Sequence, residues 1–212
     1  MGFMEAPKAA GDFKVYVNYN SKAGRWYTKA DEKDAQLFEV TNLTAIFDIE
    51  NIKTGWILFA AGQAPIKNFD PSLTQAAPKP EGNFKRGFEL DLYSEKNLLG
   101  LREFSSTAGC VIEAMNALYD QWMAARGANP GKLPVVKCAG VLPITGTNGT
   151  NYQPQFEIVG WADRPDGMPA NNAPVAPTPA PAAAAPVAKA QHVPPPAPAP
   201  APAAVSSGDT DF

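Results

Sequence analysis

Histidine and cysteine are almost missing from this chain. One histidine (His192) and two cysteines (Cys110, Cys138) occur among 212 residues. That excludes a Cys/His zinc site, which takes four ligands in a tetrahedron, and a lone histidine removes His-based catalytic triads and most general acid–base schemes. No apolar run approaches the roughly 20 residues of a membrane helix. Met1–Gly11 is polar and has no apolar stretch of the kind a secretory leader needs. A cytoplasmic protein is therefore expected, with both cysteines as free thiols rather than a disulfide. A strong charge of either sign is lacking too: 18 Lys and Arg stand against 21 Asp and Glu, a net charge of −3. The broadly basic surface of many nucleic-acid binders is excluded, so any such binding must use a local patch.

Proline is plentiful and uneven. Of 22 prolines, 11 lie in Met1–Pro169 and 11 in the last 43 residues, where alanine is the commonest of the other residues. Such a tail has nothing large to pack, so the core must come from the first part of the chain. Three regions are expected: a folded domain over residues 1–165, an Ala/Pro-rich disordered linker over 166–205 and an acidic tip over 206–212. The linker favours the extended polyproline conformation, at about 3.1 Å per residue.

The first half reads as strands. Phe13–Tyr19 alternates apolar and polar residues, and a turn at Asn20–Gly24 leads into Arg25–Thr28, so a hairpin is expected. Phe38–Ile49 and Lys53–Ala60 are further β-rich runs. Gly62–Lys85 shows no periodicity and reads as a long loop. Gly87–Tyr93 alternates strictly and pairs with Leu98–Phe104. One helix follows, with N-cap candidates at Ser105–Thr107, an apolar stripe at Val111, Met115, Leu118, Trp122 and Ala125, and a stop at Gly127. Leu133–Ile144 and Gln155–Ala162 complete the strands, joined by a polar hairpin turn at Gly146–Thr150. Five main strands with one helix between the third and fourth, plus the N-terminal hairpin, match the order of a five-stranded OB-fold barrel.

Two segments combine aromatic rings with cations. In the hairpin, Lys8, Lys14, Lys22, Arg25 and Lys29 meet only Asp12 within Lys8–Ala30. Alternation puts Lys14 with Tyr16 on one face of the first strand, and Arg25, Tyr27 and Lys29 on one face of the second. The long loop offers Phe84, Lys85 and Arg86, with Lys67 and Lys79 near them. Trp56 and Phe59 lie on opposite faces of their strand, and Trp56 is taken as the exposed one. Phe88, Trp122 and Trp161 are expected in the core. Glu89 and Asp91 on an outer face argue against DNA lying there. Rings for base stacking and cations for phosphates are what a non-specific single-strand groove requires.

The tip, Ser206–Phe212, places Asp209, Asp211, Phe212 and the α-carboxylate within four residues. Such a peptide suits a partner with an apolar pocket rimmed by basic groups. Barrel, Pro-rich linker and acidic Phe-terminated tip together resemble the single-stranded DNA-binding proteins of bacteria and their phages. Lys53–Phe59 and Phe156–Trp161 look most similar to tailed-phage members with one OB domain per chain. Against the bacterial pattern, the tip has two acids rather than a run, Thr-Asp precedes Phe rather than Ile-Pro, and the linker is Ala/Pro-rich rather than Gly/Gln-rich. The resemblance implies coating of single-stranded DNA during replication or recombination in a bacterial or phage-infected cytoplasm, with the tip docking replication or recombination proteins. It implies no cofactor. A homo-oligomer is left open.

No catalytic constellation emerges, and an enzyme is not expected. Gly131-Lys-Leu133 lacks the surroundings of a phosphate-binding loop, and Glu89 and Asp91 alternate as solvated residues do. The alternative function is a protein-interaction module whose barrel binds another protein and whose tail is a tether.

Overall fold

The computed structural model describes residues 15–30, 36–60, 63–147 and 149–170. It is mainly β. Strands β1 (Tyr16–Asn20) and β2 (Arg25–Lys29) form the expected N-terminal hairpin, and β3 (Leu37–Val40) pairs with β2. The long run Phe38–Ile49 is two elements, because Asn42 takes a left-handed conformation at φ 54° and turns the chain between β3 and β4 (Thr44–Phe47). Strands β4 and β5 (Lys53–Leu58) then follow one edge of β7 (Lys85–Ser94), interrupted by a turn of 3-10 helix at Ile49–Asn51. The Asp48 N–H keeps the edge joined there by donating to the Asp91 carbonyl at 2.9 Å.

The segment expected to be a structureless loop contains a strand. β6 (Ile66–Phe69) pairs antiparallel with β5, and a short bridge joins Ser72 to Gln75. One glycine makes this possible. A Cβ on Gly55 would overlap the Asn68 carbonyl oxygen; its cross-strand partner Gly87 serves a different close approach, since a Cβ there would lie 2.6 Å from the Ser106 carbonyl oxygen. Only a residue without a side chain lets the backbones approach so closely.

Strand β8 (Gly100–Ser106) pairs with β7 as the alternation of Gly87–Tyr93 implies, across a single helical turn α1 (Glu95–Leu98) that was not anticipated. Ser94 caps that turn, accepting from the Asn97 N–H at 3.2 Å, and Leu99 ends it at φ 58°. Helix α2 (Gly109–Ala125) lies between β8 and β9 (Leu133–Gly146), which pairs with β10 (Gly149–Ala162). The expected N-cap is displaced. Ser105 and Ser106 belong to β8, and Ala108 precedes the helix without a side-chain cap. The Ser106 hydroxyl accepts instead from the Ala108 N–H at 3.2 Å.

The ladder runs β10-β9-β4-β7-β8-β1-β2-β3, with β5 and β6 off this path. It is an open mixed sheet: β1 and β8 are parallel and every other pairing is antiparallel. A cluster of aromatic and aliphatic side chains forms the core. Trp26 packs against Tyr19, Phe104 and Phe156 with ring centroids 4.8, 5.0 and 6.1 Å apart, and Phe88 meets Phe104 edge-on at 5.3 Å. The apolar stripe of α2, Val111, Met115, Leu118 and Trp122, is buried as its spacing implies. Each such side chain contributes about 1.5–3 kcal/mol. Trp161 is half-buried against the core rather than inside it. Arg164 fastens the last described residues, reaching Asp48 at 2.8 Å and Glu50 at 3.0 Å, and Met168 is buried. No helix among the described residues is long and apolar enough to cross a membrane.

Candidate nucleic-acid interface

Alternation along the N-terminal hairpin sorts its side chains cleanly. Val17, Tyr19, Trp26 and Thr28 are buried, while Tyr16, Asn18, Arg25, Tyr27 and Lys29 project from the other face. Asn18 stands directly opposite Tyr27, and the Lys29 ammonium lies 5.7 Å from the centre of the Tyr16 ring. Arg25 is engaged by Glu39 on β3 at 3.0 Å, both side chains remaining substantially exposed. Lys14, expected to extend this row, lies outside the described residues.

The same face continues onto β8 and β7, where Glu103 stands beside Tyr16 and Asp91 opposite Glu103. Glu89 and Asp91 do occupy the outer face, yet each is only 8% exposed. Lys67 on β6 reaches both Glu89, at 2.6 Å, and Glu103, and Lys53 adds a contact to Glu89 at 3.5 Å. Burial opposes the Lys67 charge, but hydrogen bonds to Glu103 and Glu89 outweigh it and raise its pKa above the usual lysine value. Lys67 is therefore committed to these acids and is not one of the loop's free cations.

The second aromatic–cation group lies elsewhere. Trp56 stands opposite Arg86 on the face that carries Phe88, Leu90 and Leu92 toward the core, whereas Tyr16 and Tyr27 belong to the other face. The Trp56 ring lies between the Arg86 guanidinium, 5.3 Å from its centre, and the Lys79 ammonium, 5.6 Å away. Its N–H donates to the Ala77 carbonyl at 2.9 Å. It is half-buried, and Phe59 is the more open ring at 50% exposure, so the expected order of these two is reversed. Ile57 between them is buried, at 1%, on the face opposite Trp56.

Arg86 is held by an acid within the same basic stretch. Asp70 accepts from Arg86 at 2.8 and 2.6 Å, from the Thr54 hydroxyl at 2.5 Å and from the Ala77 N–H at 2.8 Å. The Arg86 hydrogen bonds first, then those from Thr54 and Ala77, overcome burial and hold the Asp70 carboxyl well below the usual carboxylate range. Arg86 consequently shapes the site without offering a free charge.

Free charge, the open Phe59 ring and the half-buried Phe84 coincide just beyond the end of β5. A groove of about 580 Å³ is bordered by Leu58, Phe59, Lys79, Phe84 and Lys85. Lys79 and Lys85 are exposed and form no ion pair with the described residues. No protein-family model, curated protein or solved structure matches the chain. The sequence-expected residues thus fall into two groups: Tyr16, Arg25, Tyr27 and Lys29 on the hairpin, and Trp56, Phe84, Lys85 and Arg86 around the β5–β7 loop. Sequence reasoning missed Asp70, because a single acid inside a Pro-rich loop carries no pattern. It also undervalued Phe59, whose position at the end of β5 frees it from the alternation that buries Ile57.

The two cysteines are free and half-buried. Among the described residues, no cluster of three or more His, Cys, Asp or Glu is arranged to hold a metal ion. The tip residues Asp209, Asp211 and Phe212, and the linker before them, lie outside the described residues.

Proposed function

We propose that this chain binds single-stranded DNA without sequence preference, through an OB-type barrel, and protects it during replication or recombination. The observation that carries the reading is the groove where the exposed Phe59 and the half-buried Phe84 stand beside Lys79 and Lys85, neither of which pairs with an acid among the described residues. Open rings stack on bases of any identity and neighbouring ammonium groups meet the phosphates, so the combination is sequence-tolerant. The hairpin adds a second aromatic–cation pair in Tyr16 and Lys29. A mainly β domain with one long helix between β8 and β9 supports the OB-type reading. The acidic Phe-terminated tip serves as the docking peptide for replication or recombination proteins, reached through the Ala/Pro linker.

Fluorescence anisotropy with labelled oligo-dT at two salt concentrations tests the reading. Binding at micromolar or lower concentration that weakens with salt supports it. An oligonucleotide left free at both points instead to a protein-interaction module.

A further inference from the structure

A buried arginine lies beneath the aromatic–cation pair of the hairpin. Arg102 on β8 is 5% exposed and points to the same side as Phe104, into the core. It meets no acid among the described residues. Its partners are neutral. Nε donates to the Thr28 hydroxyl oxygen at 3.3 Å and one terminal nitrogen to the Leu101 carbonyl at 2.7 Å. The other terminal nitrogen donates to the Lys29 and Ala30 carbonyls at 3.3 and 3.1 Å. Burial lowers the Arg102 pKa below the usual arginine value.

A charge buried among neutral acceptors costs free energy that an apolar side chain of similar size does not. What the guanidinium supplies is direction, because its planar fork holds several acceptors in fixed relation. Here the acceptors belong to the residues around the pair. Arg102 holds the Lys29 carbonyl itself, and the Thr28 hydroxyl passes the contact on by donating to the Tyr16 carbonyl at 2.9 Å. The backbones of Tyr16 and Lys29 are thereby tied to one side chain. Their own side chains meet on the opposite face, with the Lys29 ammonium 5.7 Å from the centre of the Tyr16 ring. The β1–β2 ladder ends at Val17 and Thr28, one residue short of both, and Arg102 with Thr28 continues the tie past that point.

Charge adds a second argument. Lys29 forms no ion pair with the described residues, and Glu103, which stands beside Tyr16, is taken up by Lys67. Arg102 and Lys29 are two cations joined through one carbonyl, neither matched by an acid. This end of the hairpin therefore suits an anion beside an aromatic ring, which is what a nucleotide in a single strand presents.

We propose that Arg102 is a positioning residue that sets Tyr16 and Lys29 to take one base and its phosphate. The proposal rests on the single-strand reading above, and two measurements on the full chain separate the failure of one from that of the other. The first needs no DNA. In the NMR spectrum of the free protein the Lys29 ε-methylene signal is displaced upfield by the Tyr16 ring, and Thr28→Val should move it toward its position in Tyr16→Ala. The second is oligo-dT affinity by anisotropy. Thr28→Val is expected to weaken binding at least about threefold in the parent and to have no effect in a Tyr16→Ala/Lys29→Ala background. An unmoved Lys29 signal, no weakening, or equal weakening in both backgrounds overturns the proposal and leaves the single-strand reading standing. A parent protein that leaves oligo-dT free overturns both. Should Thr28→Val not fold, Arg102→Lys, which keeps the charge and removes the fork, replaces it with the same expected results.

Discussion

Asp70 grips Arg86 through two hydrogen bonds of 2.8 and 2.6 Å, and in doing so fixes the loop that presents Lys79 to the Trp56 ring. The Asp70 side chain is 3% exposed and also accepts from Thr54 and Ala77, so its four contacts tie β5, β7 and the β6–β7 loop together. Asp70→Asn removes the charge and leaves buried donors poorly matched. A loss of roughly 1–3 kcal/mol in urea unfolding is expected, together with weaker oligo-dT binding as the groove loosens.

Acid provides a second view of the same pair. Because the folded-state pKa of Asp70 is depressed, its stabilisation is complete above the ordinary carboxylate pKa of about 3.9 and fades as the pH falls below it toward the folded value. The stability gap between the parent and Asp70→Asn should therefore be constant near neutrality and narrow in acid. Urea midpoints of both proteins across that range check this; a gap that stays constant as the pH falls through that range would contradict it.

Lys67 neutralises two acids that would otherwise face each other beneath β6. Lys67→Met leaves Glu89 and Glu103 without that partner in a largely buried position, and a loss of about 3 kcal/mol is expected. The raised Lys67 pKa means that its contribution is present below the usual lysine pKa and is lost as the pH rises through the folded value. Thermal melts of the two proteins should thus converge in strongly alkaline buffer.

Arg25 and Lys79 look alike in the sequence but not in the structure. Arg25 already pairs with Glu39 at 3.0 Å, whereas Lys79 pairs with no acid among the described residues. Lys79→Ala should weaken oligo-dT binding and flatten its salt dependence, since one fewer phosphate is neutralised. Arg25→Ala should change both less. Anisotropy titrations at several salt concentrations compare them directly.

The regular parts of the fold were legible because each repeats a period. The spacing of Val111, Met115, Leu118 and Trp122 places their side chains as expected, and the two-residue alternation in Gly87–Tyr93 does so for Phe88, Leu90 and Leu92. Glu89 and Asp91, expected to be solvated, are instead buried on the other face. What depended on a single long-range contact was not legible. β6 lies close against β5 because Gly55 admits the Asn68 and Phe69 backbone, and nothing in Ile66–Phe69 itself announces a strand. Likewise the aromatic and basic residue types were visible in the chain, but which cations remain free was not. Asp70, distant from Arg86 in sequence, decides that for one, and Glu89 with Glu103 decides it for Lys67.

The most direct measurement is the affinity of the full chain for oligo-dT beside Phe59→Ala/Phe84→Ala. Each stacked base contributes roughly 1–3 kcal/mol, so the parent should bind and the double variant should bind at least about tenfold more weakly, with an unchanged melting temperature. Equal affinities for the two proteins, or no binding by the parent, would contradict the assignment of this groove to single-stranded DNA.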